Sequence, residues 1–325
     1  MHDAATRLKD CAIDRSADGS GELLHGGVAA IARAALGDDP ASGPDGPATR
    51  RDQARVLRAI VDRHGREALL RAGARLDAAS GDPIVLALLN SDAPDVLLDK
   101  VARLNRYLHS SHRHRVVHLA EHEVELEHVA VRGAPPTAEE SLFVCGLYLE
   151  LLARIGCGDL TCAFPSASTG PADVYAAGHP HDVPGRGTSR WRIGWSSFQP
   201  VRVLPGLDEA LLRHPPRDLS ADPTAALAAA VVAGDLARSW KVGAVAERLA
   251  MSPRTLQRRL TAEGRSFTDV VREARVDAAQ DLLRDPGRSV TEIGFLTGFS
   301  DTAHLSRTFK AATGATPTEW RARTR

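Results

Sequence analysis

This 325-residue sequence has few of the residue patterns on which catalysis and metal binding usually depend. Its four cysteines, Cys11, Cys145, Cys157 and Cys162, have no CxxC spacing, so we expect free and mostly buried thiols, with a metal or redox role as the open alternative. No Ser-His-Asp pattern, phosphate-binding loop or HExxH motif is present. We therefore expect no catalytic residue, no cofactor, no bound metal and no enzymatic activity.

Long apolar runs are also missing, since none reaches the ~18 residues of a membrane span. The start of the chain, Met1-His2-Asp3-Ala4, is acidic and polar rather than basic and then apolar, so we expect no signal peptide. Both absences favour a cytoplasmic protein with no membrane partner. The apolar content of 43% is enough for the cores of two domains.

Charge of one sign is absent from the chain as a whole, because 41 basic and 41 acidic residues cancel. That balance alone argues against a nucleic-acid partner. The distribution is uneven, however: residues 236–325 contain 16 basic and 10 acidic residues, and the rest of the chain contains 25 and 31. A basic module joined to an acidic one is what phosphate binding by a single domain predicts.

What the sequence does contain is an internal repeat between residues 242 and 320. Residues 242–246 align with 290–294 at an offset of 48, which holds to Ser252 and Ser300. One extra residue in the second copy then raises the offset to 49, so that Leu256 aligns with Leu305. A second extra residue raises it to 50 and aligns residues 264–267 with 314–317. Apolar positions are kept while surface positions vary, which indicates two copies of one supersecondary unit.

The first copy reads as two short helices separated by a break. Residues 242–249 have helical spacing, Ser252 is a good N-cap, and Pro253 suits the first position of the next helix. On that helix Leu256 and Leu260 are expected to face inward. The side chains left facing outward are Arg254, Thr255, Gln257 and Arg258. Arginine can pair with guanine and glutamine with adenine in the major groove, so this is a candidate recognition helix.

The second copy repeats the pattern with Ile293, Gly294 and Leu296, a tight Gly298-Phe299 turn, and Ser300 as the expected N-cap. Leu305 and Phe309 are predicted core residues. The outward side chains are predicted to be Asp301, Thr302, His304, Ser306 and Arg307. Between the copies, the spacing predicts one connecting helix over Phe267 to Leu283, ended by Asp285-Pro286-Gly287.

From Trp240 to Arg323 the chain resembles the DNA-binding domain of AraC/XylS-type transcription regulators. The resemblance is carried by residues 252–260 (SPRTLQRRL), 293–301 (IGFLTGFSD) and 314–321 (GATPTEWR). The family usually has Tyr or Phe where Trp320 stands, and Ala is commoner where Gly294 stands. The resemblance implies an all-α domain of seven helices, with two helix-turn-helix motifs joined by a linker helix and two recognition helices in successive major-groove segments.

Double-stranded promoter DNA is therefore the expected partner, and RNA polymerase a further one. The predicted base-reading residues are Arg254, Thr255, Gln257 and Arg258 in the first copy and Thr302, His304, Ser306 and Arg307 in the second. Ser252, Ser300 and the helix-start amides are expected to hold phosphates, and Lys310 to contact phosphate without regard to sequence. The alternative is an alkylation-repair enzyme fused to such a module, which needs clustered cysteines. Here Cys11 and Cys145 are read as isolated, and Cys157 and Cys162 as only a pair.

The rest of the chain predicts an α+β sensor domain at 51–214, after a poorly ordered segment at 1–50 with one short helix near Leu23 to Leu36. A linker at 215–235, which overlaps the Pro-rich stretch Pro205 to Pro223, leads to the DNA-binding domain at 236–325. The predicted helices are Gln53 to Ala79, Pro83 to Leu108 and Glu139 to Ile155. A hairpin is predicted at Arg115 to Val131, and further strands at Leu160 to Phe164, Arg190 to Phe198 and Val201 to Leu204. The Pro/Gly-rich segment Pro165 to Gly187 separates the first of these strands from the second. This order of elements predicts an antiparallel sheet with helices against it.

The N-terminal part is loosely similar to the arabinose-binding-type regulatory domain, through Leu86 to His109 and Trp191 to Val203. That similarity implies a domain that binds a small-molecule effector or a second subunit, and so a possible homodimer, without identifying the effector. The aromatic residues Trp191, Trp195 and Phe198 are expected in the core or on the sheet surface, with a pocket wall as the alternative.

Six histidines lie close together in the segment 109–128. They are His109, His112, His114, His118, His122 and His128. Imidazole is a common metal ligand, so a metal or pH sensor is one interpretation. Against it, Arg113 and Arg115 would repel a cation and the spacing matches no metal signature. We therefore expect exposed strand residues with no special role.

Overall fold

The structure is a computed structural model that describes residues 26–37, 50–108, 111–165, 172–201 and 223–324. Its contacts divide the chain into two compact units. Of the described residues, the first comprises those up to 97 and those from 111 to 201 together with residue 108, and the second comprises 98–107 and 223–324. The sequence did not indicate that residues 98–107 would join the second unit.

Helices form the first part of the first unit. They are α1 (Gly26–Leu36), α2 (Arg50–His64), α3 (Glu67–Leu70), a 3₁₀ helix (Ala72–Ala79), α4 (Pro83–Leu89) and α5 (Pro94–Tyr107). The predicted helical content is confirmed, and the stretch predicted as Pro83 to Leu108 is divided into α4 and α5. Helix α1 is the predicted helix of segment 1–50, and its Ile31 and Leu36 are buried. The predicted disorder of residues 1–25 and 38–49 falls outside the described residues.

An antiparallel sheet follows, as predicted. Its strands are β1 (His112–Leu119), β2 (Glu123–Ala130), β4 (Thr161–Phe164), β5 (Ala172–Ala176), β6 (His179–Pro180) and β7 (Arg190–Gly194), in the order β1-β2-β7-β4-β5-β6. A second, two-stranded sheet pairs β3 (Cys157–Gly158) with β8 (Ser197–Phe198). The hairpin is confirmed. Strands β5 and β6 lie in the stretch predicted only as a separator, and Val201 is outside any strand, while residues 202–204 lie outside the described part of the chain.

Helix α6 (Ala138–Ile155) connects the two layers of the first unit. It starts with a capping box, in which Thr137 Oγ1 accepts from Glu140 N and Glu140 Oε2 accepts from Thr137 N. It ends at Gly156, whose left-handed φ of 114° and close approach to the Gln199 carbonyl leave no room for a side chain. The side chains of α6 contact both the sheet and the preceding helices, so this helix carries the core of the unit.

The second unit is all-helical between residues 223 and 324. Its seven helices are α7 (Thr224–Ala233), α8 (Val242–Arg248), α9 (Pro253–Ala262), α10 (Phe267–Leu283), α11 (Val290–Leu296), α12 (Thr302–Thr313) and α13 (Pro317–Thr324). We call α8 with α9 the first helix pair and α11 with α12 the second helix pair. The connecting helix α10 has the predicted bounds.

Two hydrophobic cores hold these helices, one for each pair. The first contains Ala228 and Val232 of α7 together with side chains of α8, α9 and the first half of α10. The second contains side chains of α11, α12 and the second half of α10, with Trp320 of α13 against it. Because α10 contributes Val270 to one core and Ala279 to the other, it fixes the spacing of the two pairs.

Helix α7 lies inside the segment predicted as a linker, 215–235. Its sequence, TAALAAAVVA, has no polar face, and a helix that is apolar all round packs into a core. Residues 224–233 are therefore a structural part of the second unit, whereas residues 202–222 lie outside the described residues. Within the part of the chain that the structure describes, no helix is both long and apolar enough to cross a membrane.

Candidate nucleic-acid interface

Helix α9 begins as the sequence predicts. Ser252 Oγ accepts a hydrogen bond from Thr255 N at 3.1 Å, and Pro253 occupies the first helical position. Leu256 and Leu260 are fully buried in the first core. This cap and these two anchors leave the opposite face of α9 toward solvent.

That face presents a run of cationic and polar side chains. Arg254, Gln257 and Arg258 are exposed, as predicted. Thr255 is half-buried, and its hydroxyl lies 2.9 Å from Ser252 Oγ, so it is held at the helix start. Arg259 is exposed as well and was not singled out from the sequence, although its place next to the buried Leu260 could have identified it.

The turn between the helices has the same backbone form in both pairs. Ala250 has a left-handed φ of 52°, and Gly298, its equivalent in the repeat, has a φ of 79°. The following amides, Met251 N and Phe299 N, donate to the carbonyls of Ala246 and Gly294 at 2.8 and 3.1 Å. The repeat in the sequence thus corresponds to a repeat of hydrogen bonds.

Helix α12 begins one residue later than predicted, because its N-cap is Asp301 and not Ser300. Asp301 Oδ1 accepts from His304 N at 2.7 Å, and Ser300 Oγ donates to the other carboxylate oxygen at 3.0 Å. Asp301 is offset from Ser252 by 49, the offset that the rest of α12 follows. The extra residue of the second copy therefore lies in the turn, and Ser300 belongs to that turn.

His304 is turned back onto the start of its own helix. Its Nδ1 accepts from Ser300 N at 3.3 Å, and its ring meets Phe299 edge-on with centroids 5.3 Å apart. Burial lowers the pKa of His304, and Arg275 and Arg307 lower it further against the opposing effect of Asp301. The lowered pKa and the hydrogen bond from Ser300 N both favour the neutral ring, in which Nδ1 accepts and Nε2 carries the proton.

The remaining side chains of α12 form a face like that of α9. Arg307 and Lys310 are exposed, whereas Thr302 and Ser306 are half-buried, and Leu305 and Phe309 are fully buried in the second core. Arg258 and Arg307 thus occupy equivalent positions on the two faces. The contacts of these residues with DNA stay a prediction.

The helices that follow each pair also begin alike. Ser266 and Asp269 form a capping box at the start of α10, and Thr316 and Glu319 exchange the same two hydrogen bonds at the start of α13. The offset of 50 between them agrees with the third register of the repeat. The duplication therefore extends through both pairs into the next helix.

Three cysteines of the first unit, Cys145, Cys157 and Cys162, are free and buried, as expected. Cys11 lies outside the described residues. The interpretation of Cys145 as isolated is wrong, because its Sγ lies 3.5 Å from Cys162 Sγ. Burial raises the pKa of the Cys145 thiol well above its usual value, and the neighbouring Cys162 raises it further. Such a thiol is a poor nucleophile.

The histidine-rich segment differs most from its prediction. His112 and His128 are buried and His114 is half-buried, because β1 places residues 112, 114 and 116 on the face toward α6. Tyr148 Oη lies 3.1 Å from His114 Nδ1, and Ser141 Oγ lies 3.1 Å from His128 Nδ1. Burial lowers the pKa of His114 to about 3 and that of His128 to about 2. The imidazoles of His114 and His128 are therefore neutral core groups, and His112 is buried beside them.

His118 and His122 are exposed, as expected, and His109 lies outside the described residues. Among the residues that the structure describes, no group of three or more His, Cys, Asp or Glu side chains could hold a metal ion. Trp191 and Trp195 are buried, which confirms the core interpretation, and Phe198 is half-buried on β8.

Comparison with known proteins finds similarity in the C-terminal part of the chain. A family model described as a helix-turn-helix domain matches residues 245–323. The HTH-type transcriptional regulator VirS of Mycobacterium tuberculosis is 44% identical over 80 residues, which cover 24% of this chain and 23% of VirS. The porin thermoregulatory protein EnvY of Escherichia coli K12 is 30% identical over 95 residues, or 29% of this chain and 38% of EnvY.

A crystal structure of the DNA-binding domain of AdpA in complex with a target DNA is 31% identical, covers 32% of this chain and 93% of that chain, and has a TM-score of 0.29. The chain matches well under half of the length of the curated relatives. What it shares with VirS and EnvY is therefore a domain, which the family match locates at the C-terminal end. Residues 245–323 of this chain form a helix-turn-helix domain of the AraC/XylS type found in transcription regulators.

Proposed function

We propose that this chain is a transcription regulator that binds double-stranded promoter DNA in a sequence-specific way and has no catalysis of its own. Its two helix pairs would be two helix-turn-helix motifs, with α9 and α12 as the recognition helices. The observation that carries this proposal is the equivalence of the two exposed faces. Each is built on a turn of the same backbone form and on buried anchors at equivalent positions, and each presents an arginine at the same position, Arg258 and Arg307.

The chemistry of the two faces suits the major groove. The guanidinium groups of Arg254, Arg258 and Arg307 can each donate two hydrogen bonds to guanine O6 and N7, and the Gln257 amide can pair with adenine. The Nε2 proton of the neutral His304 is a further donor. Two recognition helices held by one rigid α10 would read segments about one helical turn, or ~34 Å, apart on the same face of the duplex.

Phosphate contacts would supply the sequence-independent part of the affinity. Lys310 is exposed at the side of α12, and Ser252 and Ser300 lie at the starts of the two candidate recognition helices. The excess of basic over acidic residues in 236–325 would add a long-range attraction to the duplex. Binding should therefore weaken steeply with salt.

The first unit would control this binding by taking up a small-molecule effector or by forming a homodimer. A pocket of about 460 Å³, open to solvent, lies within it and is lined by Arg63, His64, Arg71 and Arg75 together with Leu36 and small residues from α1 to the 3₁₀ helix. Its three arginines suit an anionic molecule. A cytoplasmic location and a contact with RNA polymerase belong to the same proposal.

Selection of bound sequences from a random DNA pool by the full chain tests the proposal. Arg258→Ala and Arg307→Ala should each cost about 1 to 3 kcal/mol of binding free energy and relax the preference at a base pair in a different half of the site. Lys310→Ala should weaken binding evenly across sequences. Arg284→Ala removes the same charge at the exposed end of α10 and serves as the matched control. Equal losses on selected and scrambled DNA for Arg258→Ala and Arg307→Ala would contradict the assignment.

A further inference from the structure

We infer that residues 98–107, which we call the α5 segment, are a built-in support of the second helix pair, and that Tyr107 is the residue that positions its turn. The inference rests on the proposed function, since the turn matters because it sets the start of α12. The contacts that carry it lie within the second unit. They link a helix from the first half of the sequence to the residues just before Asp301.

Tyr107 contacts the turn directly. Its side chain is almost fully buried, and its Oη donates a hydrogen bond to the carbonyl of Phe299 at 3.0 Å. Its ring meets that of Phe295 edge-on, with centroids 6.3 Å apart. Phe295 ends the buried part of α11 and Phe299 immediately precedes Ser300, so one side chain holds both sides of the turn.

Gly294 shows that the helix pair is shaped to receive this side chain. A Cβ at Gly294 would lie 2.8 Å from Tyr107 Oη and 2.9 Å from its Cε1, closer than real Cβ contacts. Glycine weakens a helix interior relative to alanine, and the equivalent position of α8 is Ala246. The glycine is explained by the ring of Tyr107, which occupies the space that a methyl group would need.

The rest of the α5 segment is fixed to residues 235–239, which run beside the same turn. Lys100 is fully buried and its Nζ lies 2.8 Å from Asp235 Oδ2, while Ser239 Oγ donates to Asp99 Oδ2 at 2.6 Å. Arg103 donates to the Ala237 carbonyl, and its guanidinium lies 5.2 Å from the centroid of Phe295. The α5 segment is thus held by directional contacts that specify one position of the turn.

A test uses the full chain and DNA selected from a random pool by the wild-type protein. Two further duplexes each have one half of the selected site scrambled, and Arg258→Ala and Arg307→Ala show which half each helix pair contacts. Gly294→Ala should weaken binding about tenfold to the duplex that keeps only the half-site contacted by the second helix pair. Binding to the duplex that keeps only the other half-site should change little. Gly243→Ala, in open space on α8, is the matched control and should change neither.

Rescue by a second substitution separates positioning from simple damage. With Tyr107→Ala in the background, the added Gly294→Ala should cost nothing further, because the space of the ring is vacated. Tyr107→Phe, which removes only the hydroxyl, should lose part of the preference for the half read by the second pair. Wild-type binding of both halves by Gly294→Ala, or the same loss with and without Tyr107→Ala, would overturn the inference.

The two proposals can fail separately. If the wild-type chain selects no DNA sequence, the proposed function is wrong. The contact between Tyr107 and Gly294 is then tested by urea unfolding of the wild type, Gly294→Ala, Tyr107→Ala and the double variant. Gly294→Ala should lower the free energy of unfolding in the wild-type background and not in the Tyr107→Ala background, and additive effects would overturn the inference.

Discussion

The first and second helix pairs share one sequence pattern but have different surroundings. The fully buried side chains of the first pair's core are all aliphatic and come from α7, α8, α9 and the first half of α10, with Trp240 and Phe267 only partly buried against them. The second pair uses the aromatic residues Phe299, Phe309 and Trp320 and is also contacted by the α5 segment. The comparison teaches that a duplicated pattern fixes the turn, the anchors and the exposed face. The residues that differ between the copies correspond to different neighbours.

The largest expected losses of stability are those at the last core anchor of each pair. Phe309 is fully buried and meets Trp320 edge-on with centroids 5.8 Å apart, and its equivalent Leu260 is fully buried among aliphatic side chains. Phe309→Ala should lower the free energy of unfolding by about 4 kcal/mol and Leu260→Ala by about 3 kcal/mol, because the larger side chain leaves the larger cavity. Urea unfolding measures both. A loss below 1 kcal/mol at either position would contradict this description of its core.

The equivalent turn residues Gly298 and Ala250 should respond differently when each is replaced by the residue of the other. A Cβ at Gly298 would lie 2.0 Å from the Leu236 carbonyl oxygen, so Gly298→Ala combines a left-handed backbone with a clash and should cost about 3 kcal/mol. Ala250 already adopts the left-handed form, and Ala250→Gly should stay within about 1 kcal/mol of the wild type. Thermal unfolding of both variants checks this. Similar losses at the two positions would show that the turns are not distinguished by Leu236.

The smallest predicted effect separates the two N-caps by their response to pH. Ser252→Ala and Asp301→Ala should each cost about 1 kcal/mol at pH 7. Burial opposes ionisation of Asp301, but hydrogen bonds from His304 N and Ser300 Oγ outweigh it and hold the pKa of this carboxyl below its usual value. The stabilisation is therefore present above the ordinary Asp pKa of about 4 and is lost as the pH falls through the lower folded value. The Ser252 cap does not titrate.

Asp301→Asn is the control for that prediction, because asparagine caps a helix without titrating. The free energy of unfolding of the wild type should fall toward that of Asp301→Asn between pH 5 and pH 3. A constant difference between the two proteins over this interval would rule out the charge of Asp301 as the source of the stabilisation.

Much of the second unit could be predicted because its signals are local. The bounds of α10, the Ser252 cap and the anchors Leu256 and Leu305 depend on residues within a few positions of each other. The choice of Asp301 over Ser300 could not be made in this way. Both are good N-caps, so residues near them in the sequence do not distinguish them, and only the folded structure shows that His304 N donates to Asp301.

The first unit was predicted less completely for the same reason. Alternation predicted the hairpin of β1 and β2, but the burial of His112 and His128 depends on which face of the hairpin α6 covers. The short strands β5 and β6 have too few residues for a period to emerge. The contact between Cys145 and Cys162 joins a helix to a strand and has no signal in their spacing.

The sequence by itself determined the duplicated helix pairs, the Ser252 cap, the buried anchors of both pairs, the faces that point to solvent and the mixed order of helices and strands before them. Periodicity and capping are properties of neighbouring residues, so one chain is enough to read them. Tertiary structure alone decided that residues 98–107 and α7 belong to the helical unit, that a glycine is needed beside Tyr107, and that three histidines are core groups. These outcomes depend on which surfaces meet after the chain has folded. Burial, steric exclusion and buried charge pairs arise only where segments distant in the sequence come into contact.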